Sequence, residues 1–100
     1  MKPAVKKLIL NKNGKINQTF QNMIDNCRID HANRKIYHTY TSGSGRFTSN
    51  QSAYWYVTEF LKASGYKFKE GNDAPRGGKT GDFIKVSKTA LKSLSDTFSV

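Results

Sequence analysis

The sequence predicts an α+β domain in which two to three helices pack on a small mixed β-sheet of about four strands. Two kinds of pattern support this prediction. Apolar residues recur at steps of three and four in some segments, and β-branched or aromatic residues cluster or alternate in others. The predicted order is strand, helix, strand, helix, strand, strand, helix, and residues 1–100 are expected to form a single domain.

The first half of the chain contains three predicted elements. Residues 4–10 are apolar enough for a strand, and a turn signal follows at 11–14. Apolar side chains then recur at helical spacing over 16–27, which predicts an amphipathic helix. After a polar, turn-like segment at 30–34, the β-branched and aromatic residues of 36–41 predict a second strand.

The second half contains four predicted elements. A helix is expected to begin after the serine or asparagine at 49–50, which are good N-caps, and to end at Gly65. Residues 66–69 alternate apolar and basic side chains, and 83–86 are expected to form the partner strand. Ser87 is expected to cap a last helix. Its apolar residues at helical spacing are Ala90, Leu91, Leu94 and Phe98.

The chain carries a large excess of positive charge. It has 17 Lys and Arg against 7 Asp and Glu, a formal net charge of +10 and a pI of about 9.9. Such charge repels itself in the compact state, so it usually serves an anionic partner. Nucleic acid is the leading candidate because a strongly basic domain is typical of nucleic-acid binders. An acidic protein and an anionic membrane surface are the competing partners, and membrane contact is not expected.

The cysteine content and hydropathy favour a cytoplasmic location. The single cysteine, Cys27, has no partner for an internal disulfide and is expected to be a small core residue. No segment approaches the roughly 20 apolar residues of a membrane span. The apolar run at 8–10 is too short for a secretory signal.

Basic residues that could bind phosphates lie in two Gly-rich loops and on a predicted strand pair. The loops at 42–46 and 71–81 let backbone N–H groups approach an anion. The candidates in these loops are Arg46, Arg76 and Lys79. On the strand pair, the candidates are Lys67, Lys69 and Lys85, which are expected to project from one face toward solvent. Of the basic residues 13 are Lys and 4 are Arg, which favours backbone contacts with little sequence preference.

Three aromatic residues are candidates for packing on the ligand. A helical projection of the second predicted helix places Trp55 with Glu59 and Lys62, away from the apolar stripe. An exposed Trp is typical of binding hot spots and base-stacking platforms. Phe47, in the loop before this helix, and Tyr37, on a strand, are further candidates. The alternative for Trp55 and Phe47 is an ordinary place in the core.

Together these features predict a non-enzymatic nucleic-acid-binding domain that needs no cofactor, metal or small-molecule substrate. RNA is slightly favoured over duplex DNA, since no predicted helix carries clustered Arg, Asn and Gln on its outer side. The alternative is a small phage or mobile-element protein that binds and inhibits or modulates a host nuclease, polymerase or defence complex. A third hypothesis, a toxin-like ribonuclease, depends on His31 and His38. The sequence leaves the oligomeric state open.

Overall fold

The computed structural model describes residues 2–37, 47–75 and 81–100, and for 47–54 it describes the backbone only. The elements in these stretches are α1 (Pro3–Ile9), α2 (Gln18–Asp25), β1 (Arg28–Asp30), β2 (Lys35–Tyr37), α3 (Phe47–Ser64), β3 (Phe68–Asn72), β4 (Asp82–Val86) and α4 (Lys88–Phe98). The predicted α+β class, with four strands and helices packed on them, is confirmed.

The four strands form one sheet in the order β1-β2-β4-β3. Every pairing is antiparallel, so the predicted mixed sheet is corrected to an antiparallel one. β1 and β2 pair with each other, β3 and β4 pair with each other, and the pairing of β2 with β4 joins the two halves. Since β2 precedes α3 and β4 follows it, the sheet depends on contacts between distant parts of the sequence.

The core lies between one face of the sheet and the helices. Ile29, Ile36 and Ile84 occupy adjacent positions across three strands, and all three belong to the core or pack against it. On the helical side, Phe98 of α4 lies between two other aromatic rings. Its ring centroid is 5.6 Å from that of Phe20 in α2 and 5.2 Å from that of Phe60 in α3.

The first predicted strand, at 4–10, is wrong, because this segment forms α1. Pro3 occupies the start of the helix, where its fixed φ and missing N–H are tolerated. Val5 and Ile9 are buried and lie one helical turn apart, whereas Lys6 and Lys7 are exposed. A short apolar run does not distinguish a strand from a buried helix by periodicity alone, which explains the error.

The structure differs from the sequence prediction in one additional strand and in the start of one helix. The structure adds β1, a strand of only three residues, between the predicted helix at 16–27 and the turn-like segment. Helix α3 begins at Phe47, not after 49–50, so Phe47 lies in the helix and not in the preceding loop. Residues such as Thr, Ser and Asn are only moderately poor helix formers, so a good N-cap type does not by itself fix where a helix starts.

Local chemistry correctly predicted the C-terminal end of α3 and the N-terminal end of α4. Gly65 follows α3 with φ of +82°, a left-handed conformation that glycine adopts without steric cost. Ser87 precedes α4, and its hydroxyl accepts a hydrogen bond from the backbone N–H of Ala90 at 3.1 Å. Within the described ranges, no helix is long and apolar enough to cross a membrane.

We expect Ile84→Ala to destabilise the protein strongly. Ile84 is 0% exposed in the middle of β4, so the substitution would leave a cavity between the sheet and the helices. The loss should be about 2–5 kcal/mol in the free energy of unfolding, measured by urea denaturation. Thr89→Ala, at an exposed position of α4, is the control and should change stability by no more than about 0.5 kcal/mol. A loss for Ile84→Ala as small as the control's would contradict this packing.

Candidate functional site

Three lysines stand side by side across the face of the sheet that is turned away from the isoleucine core. Lys85 of β4 lies directly opposite Lys35 of β2 on one side and Lys69 of β3 on the other. We call this face the outer face and these three residues the lysine row. Residues opposite each other in antiparallel strands have Cβ atoms roughly 5 Å apart, and like charges at that separation destabilise the sheet.

An acidic residue compensates only one member of the lysine row. Asp73, just after β3, accepts a 3.2 Å ion-pair contact from Lys35 Nζ on its Oδ2, and the Tyr37 hydroxyl donates to the same oxygen. The other ion pairs in the described part of the chain join Lys62 to Glu59 and Lys92 to Asp96. Lys69 and Lys85 are exposed and have no carboxylate partner among those pairs.

The Asp73 carboxylate is held in its ionised form. The hydrogen bond from Tyr37 and the ammonium of Lys35 keep the pKa of Asp73 below its usual range. The same hydrogen bond raises the pKa of Tyr37, since the phenol must lose its proton next to a negative charge. The backbone N–H of Asp73 also donates to the carbonyl of Gly81 at 3.1 Å. Asp73 therefore ties the base of the β3–β4 loop to the outer face.

Two aromatic rings lie beside the lysine row, and each is already covered by a cation. Tyr37 and Phe83 are opposite each other, with ring centroids 5.6 Å apart. The Arg28 guanidinium lies 3.8 Å from the Tyr37 centroid, and Lys35 Nζ lies 4.5 Å from that of Phe83. Tyr37 is only 6% exposed. Little of this ring is therefore open to a ligand, and the stacking role of Tyr37 stays a prediction.

Phe83 also explains the glycine at the edge of the sheet. Its ring lies over Gly71, the residue opposite it on β3. A Cβ added to Gly71 would come within 2.6 Å of the ring, so a larger residue would displace Phe83. The absence of a side chain at 71 thus leaves room for the end of the Phe83 ring beside the lysine row.

A basic pocket opens at the other end of the outer face, where β3 begins and β4 ends. Its volume is about 370 Å³. The residues that line it are Arg34, Lys67, Phe68, Lys69, Lys85, Val86 and Ser87. The strand register confirms that Lys69 and Lys85 share one face, as predicted, and Lys67, which lies just before β3, lines the same pocket.

The sequence interpretation missed Arg34, the fourth cation of the basic pocket. Arg34 lies in the turn between β1 and β2 with φ of +56°, and its carbonyl accepts a hydrogen bond from the Val86 N–H. That bond places the turn against the end of β4. The β1 strand was not predicted, so the sequence pattern gave no reason to bring this turn to the sheet.

Trp55 is exposed, as the helical projection predicted, but it lies in the helical layer. Its exposed fraction is 51%, and its ring packs edge-on against Tyr56 with centroids 5.0 Å apart. It borders a groove of about 390 Å³. The groove, which we call the Trp55 groove, is lined by Leu8, Asn17, Thr19, Phe20, Trp55 and Tyr56. None of these residues belongs to the sheet, so the groove and the basic pocket are separate surfaces.

Several predicted residues are not placed by the structure. Arg46, Arg76, Lys79 and His38 lie outside the described residues. The backbone of Phe47 starts α3, and its side chain is outside the described part.

The surroundings of Cys27 and His31 in the described structure do not indicate a catalytic or metal-binding role. Cys27 packs against the core, and burial raises the pKa of its thiol to about 12, which leaves it protonated and unreactive at neutral pH. His31 is exposed in the turn between β1 and β2. Among the residues that the structure describes, no group of three or more His, Cys, Asp and Glu side chains could hold a metal ion.

Comparison of the chain with protein-family models, with curated proteins and with solved structures found no match.

We expect Asp73→Asn to weaken the acid dependence of stability. A carboxyl whose pKa is lower in the folded state stabilises the fold above its unfolded pKa of about 3.9, and this contribution is lost as the pH falls through the folded pKa. The free energy of unfolding of the wild type should therefore fall across this acid range, and less steeply for Asp73→Asn. Urea denaturation at a series of pH values measures both slopes.

Tyr37→Phe tests whether the hydrogen bond from Tyr37 is what lowers the pKa of Asp73. It keeps the ring under Arg28 but removes the hydroxyl that donates to Asp73. We expect the slope of this variant to lie between those of the wild type and Asp73→Asn. A wild-type slope in Asp73→Asn would show that this carboxylate does not contribute.

Proposed function

We propose that the domain binds nucleic acid through the outer face, with the lysine row and the basic pocket contacting backbone phosphates. The observation that carries the proposal is the pair of exposed lysines, Lys69 and Lys85, that stand opposite each other without a carboxylate partner in the described ion pairs. In the free protein this arrangement costs stability. Phosphates between the two ammonium groups would replace repulsion by attraction.

The charges of the outer face favour a polyanion. Across the strands and their ends it carries six basic residues against two acidic ones, Asp30 and Asp73; the basic residues are Arg28, Arg34, Lys35, Lys67, Lys69 and Lys85. Both carboxylates are already engaged, Asp30 with Asn33 and Asp73 with Tyr37 and Lys35. The charge that is not neutralised is thus positive and spread over several strands. This arrangement suits a chain of phosphates better than a single anionic group.

The types of these basic residues indicate binding that depends little on the nucleotide sequence. Four of the six are lysines, whose ammonium acts as a point charge on a flexible stem. Of the two arginines, Arg28 lies over the Tyr37 ring and Arg34 lines the basic pocket. Bidentate recognition of base edges depends mainly on arginine, asparagine and glutamine. We therefore propose that affinity comes mostly from phosphates and falls steeply as salt is added.

The test compares two charge-reversed variants that have the same net charge. Lys69→Glu/Lys85→Glu changes the outer face, whereas Lys6→Glu/Lys7→Glu changes two exposed lysines of α1. Binding of a fluorescein-labelled oligo(U) single strand and of a DNA duplex is followed by anisotropy at low and physiological salt. We expect the outer-face variant to lose about tenfold or more in affinity, and its dependence on salt to become shallower by roughly 0.7 per lost single-strand phosphate contact.

The α1 variant is the control for net charge and should lose much less affinity than the outer-face variant. Equal losses in the two variants would show that only net charge matters and would contradict a site on the outer face. No binding of either nucleic acid by the wild type at low salt would contradict the proposed function itself.

A second candidate function is supported by the Trp55 groove. A tryptophan that is 51% exposed beside a groove favours a protein partner, since tryptophan is enriched at protein-binding hot spots. In this case the chain would bind and modulate a host nuclease, polymerase or defence complex, as a phage or mobile-element protein could do.

Trp55→Ala separates the two candidate functions. For a protein partner anchored by Trp55, we expect a loss of about 2 kcal/mol or more, roughly 30-fold in affinity. Tagged wild type and Trp55→Ala are compared for capture from a nuclease-treated bacterial lysate, and any captured protein is identified and titrated in purified form. A partner that binds both forms equally would exclude the Trp55 groove, and the affinity for oligo(U) should be unchanged by this substitution.

A further inference from the structure

We propose that the open edge of β3 binds an extended segment of a protein partner, which adds a strand to the sheet and places a carboxylate opposite Lys69. β3 is the last strand in the order β1-β2-β4-β3, so among the described strands it has a neighbour on one side only. An unpaired edge presents backbone N–H and C=O groups with which another chain can pair. This inference goes beyond the proposed function, because it concerns the edge of the sheet and a different kind of partner.

A hydrogen bond at the end of β3 shows which of its backbone groups face outward. The Asp73 N–H donates to the Gly81 carbonyl at 3.1 Å, and these residues lie opposite each other when the register of β3 and β4 is extended by one pair. Hydrogen-bonded and non-hydrogen-bonded pairs alternate in an antiparallel ladder. Lys69 therefore bonds to β4 through its backbone, whereas the N–H and C=O groups of Phe68 and Glu70 point away from β4.

A second hydrogen bond gives the same result from the other side of β4. Val86 lies opposite Phe68, but its N–H donates to the Arg34 carbonyl at 3.1 Å, on the side of β2. Within the described part of the chain, no loop, cap or side chain forms a hydrogen bond with the backbone of Phe68 or Glu70. The edge therefore offers two successive outward-facing residues to a further strand.

The shape of β3 is suited to strand pairing. Its five residues pair with β4 in an unbroken register, so no bulge turns the edge away. The strand contains no proline, which would remove a donor from the edge. Lys69 and Glu70 are both exposed although they lie on opposite faces of the sheet. A segment that paired with this edge would thus find room for its side chains on both faces.

The charges on the outer face determine the kind of segment that fits. Lys69 is exposed beside Lys85, and Lys67, just before β3, lines the same pocket. Lysine on an edge strand opposes pairing with a neutral strand or with a second copy of itself. In an antiparallel pairing Lys69 would occupy a non-hydrogen-bonded position, where opposite side chains are closest. A glutamate or aspartate at that position would replace repulsion by attraction.

The other face of β3 completes the pattern of the segment. Phe68 is half-buried and packs against the core, so an apolar side chain opposite it would extend the apolar layer. Glu70 is exposed and favours a lysine or arginine opposite it. The partner segment thus carries carboxylates toward the outer face and an apolar and a basic residue toward the other. It would neutralise Lys69 and leave Lys85, one strand further from the edge, to the phosphates.

Two synthetic peptides of the same composition test the pairing. Acetyl-Thr-Lys-Glu-Val-Glu-Lys-Thr-amide matches the pattern, whereas acetyl-Thr-Glu-Lys-Val-Lys-Glu-Thr-amide places a lysine opposite Lys69. We expect the ¹⁵N-labelled protein to bind the first peptide about fivefold or more tightly than the second. The first peptide should also slow the exchange of the Phe68 and Glu70 amide protons with water. The amide protons of Lys69 and Gly71, which already bond to β4, should change little.

Two substitutions separate the contribution of the backbone from that of charge. Glu70→Pro removes an N–H that points away from β4, and edge strands tolerate proline at such positions. It should lower the affinity for the first peptide about tenfold or more, and Glu70→Ala, which keeps the N–H, should lower it much less. Lys69→Glu should reverse the preference in favour of the second peptide, which keeps the test valid if Glu70→Pro does not fold.

Three results would overturn this proposal. Equal affinities for the two peptides, or binding without slower exchange at 68 and 70, would show only a general attraction between charges. Binding of neither peptide would assign the lysines of β3 to protection of the edge against self-association. A dimer of the wild type in light scattering, with these two amides protected, would assign the edge to a second copy. The measurements contain no nucleic acid, so they fail or succeed independently of the proposed function.

Discussion

The antiparallel register of β2, β4 and β3 is the constraint on which the rest of the structure depends. Side chains alternate between the two faces of a strand, so one register determines both faces at once. The register that buries Ile36 beside Ile84 also places Lys35, Lys85 and Lys69 in one row. A slip by one residue would bury lysines and expose isoleucines. The protein therefore cannot relieve the repulsion within the row without losing its core.

Because the core fixes the register, the positive charges of the outer face are held close together. Asp73, which Tyr37 holds by a hydrogen bond, neutralises the row at Lys35. The exposed lysines at its other positions have no ion pair in the described part of the chain. The uncompensated charge is thus concentrated beside the basic pocket. Trp55 lies on a different surface, in the helical layer, and a base-stacking role for it is not needed to explain the outer face.

Local sequence patterns predicted which side chains of β3 and β4 share a face and where two of the helices begin or end. The alternation at 66–69 and 83–86 was sufficient to place Lys69 and Lys85 on one face, and Gly65 and Ser87 marked helix ends. The pattern could not predict α1 or β1, which are too short to show a period. Arg34 reaches the pocket, and Asp73 reaches the lysine row, only through the pairing of β2 with β4, which joins segments far apart in the chain.

The most direct test of the account is the effect of Lys85→Gln on stability and on binding, measured with the same protein. Glutamine keeps most of the side chain and removes the charge at the centre of the lysine row. We expect a higher free energy of unfolding than the wild type at low salt, a smaller gain at high salt because salt screens the repulsion, and weaker binding of oligo(U). An unchanged or lower stability at low salt together with unchanged binding would contradict it.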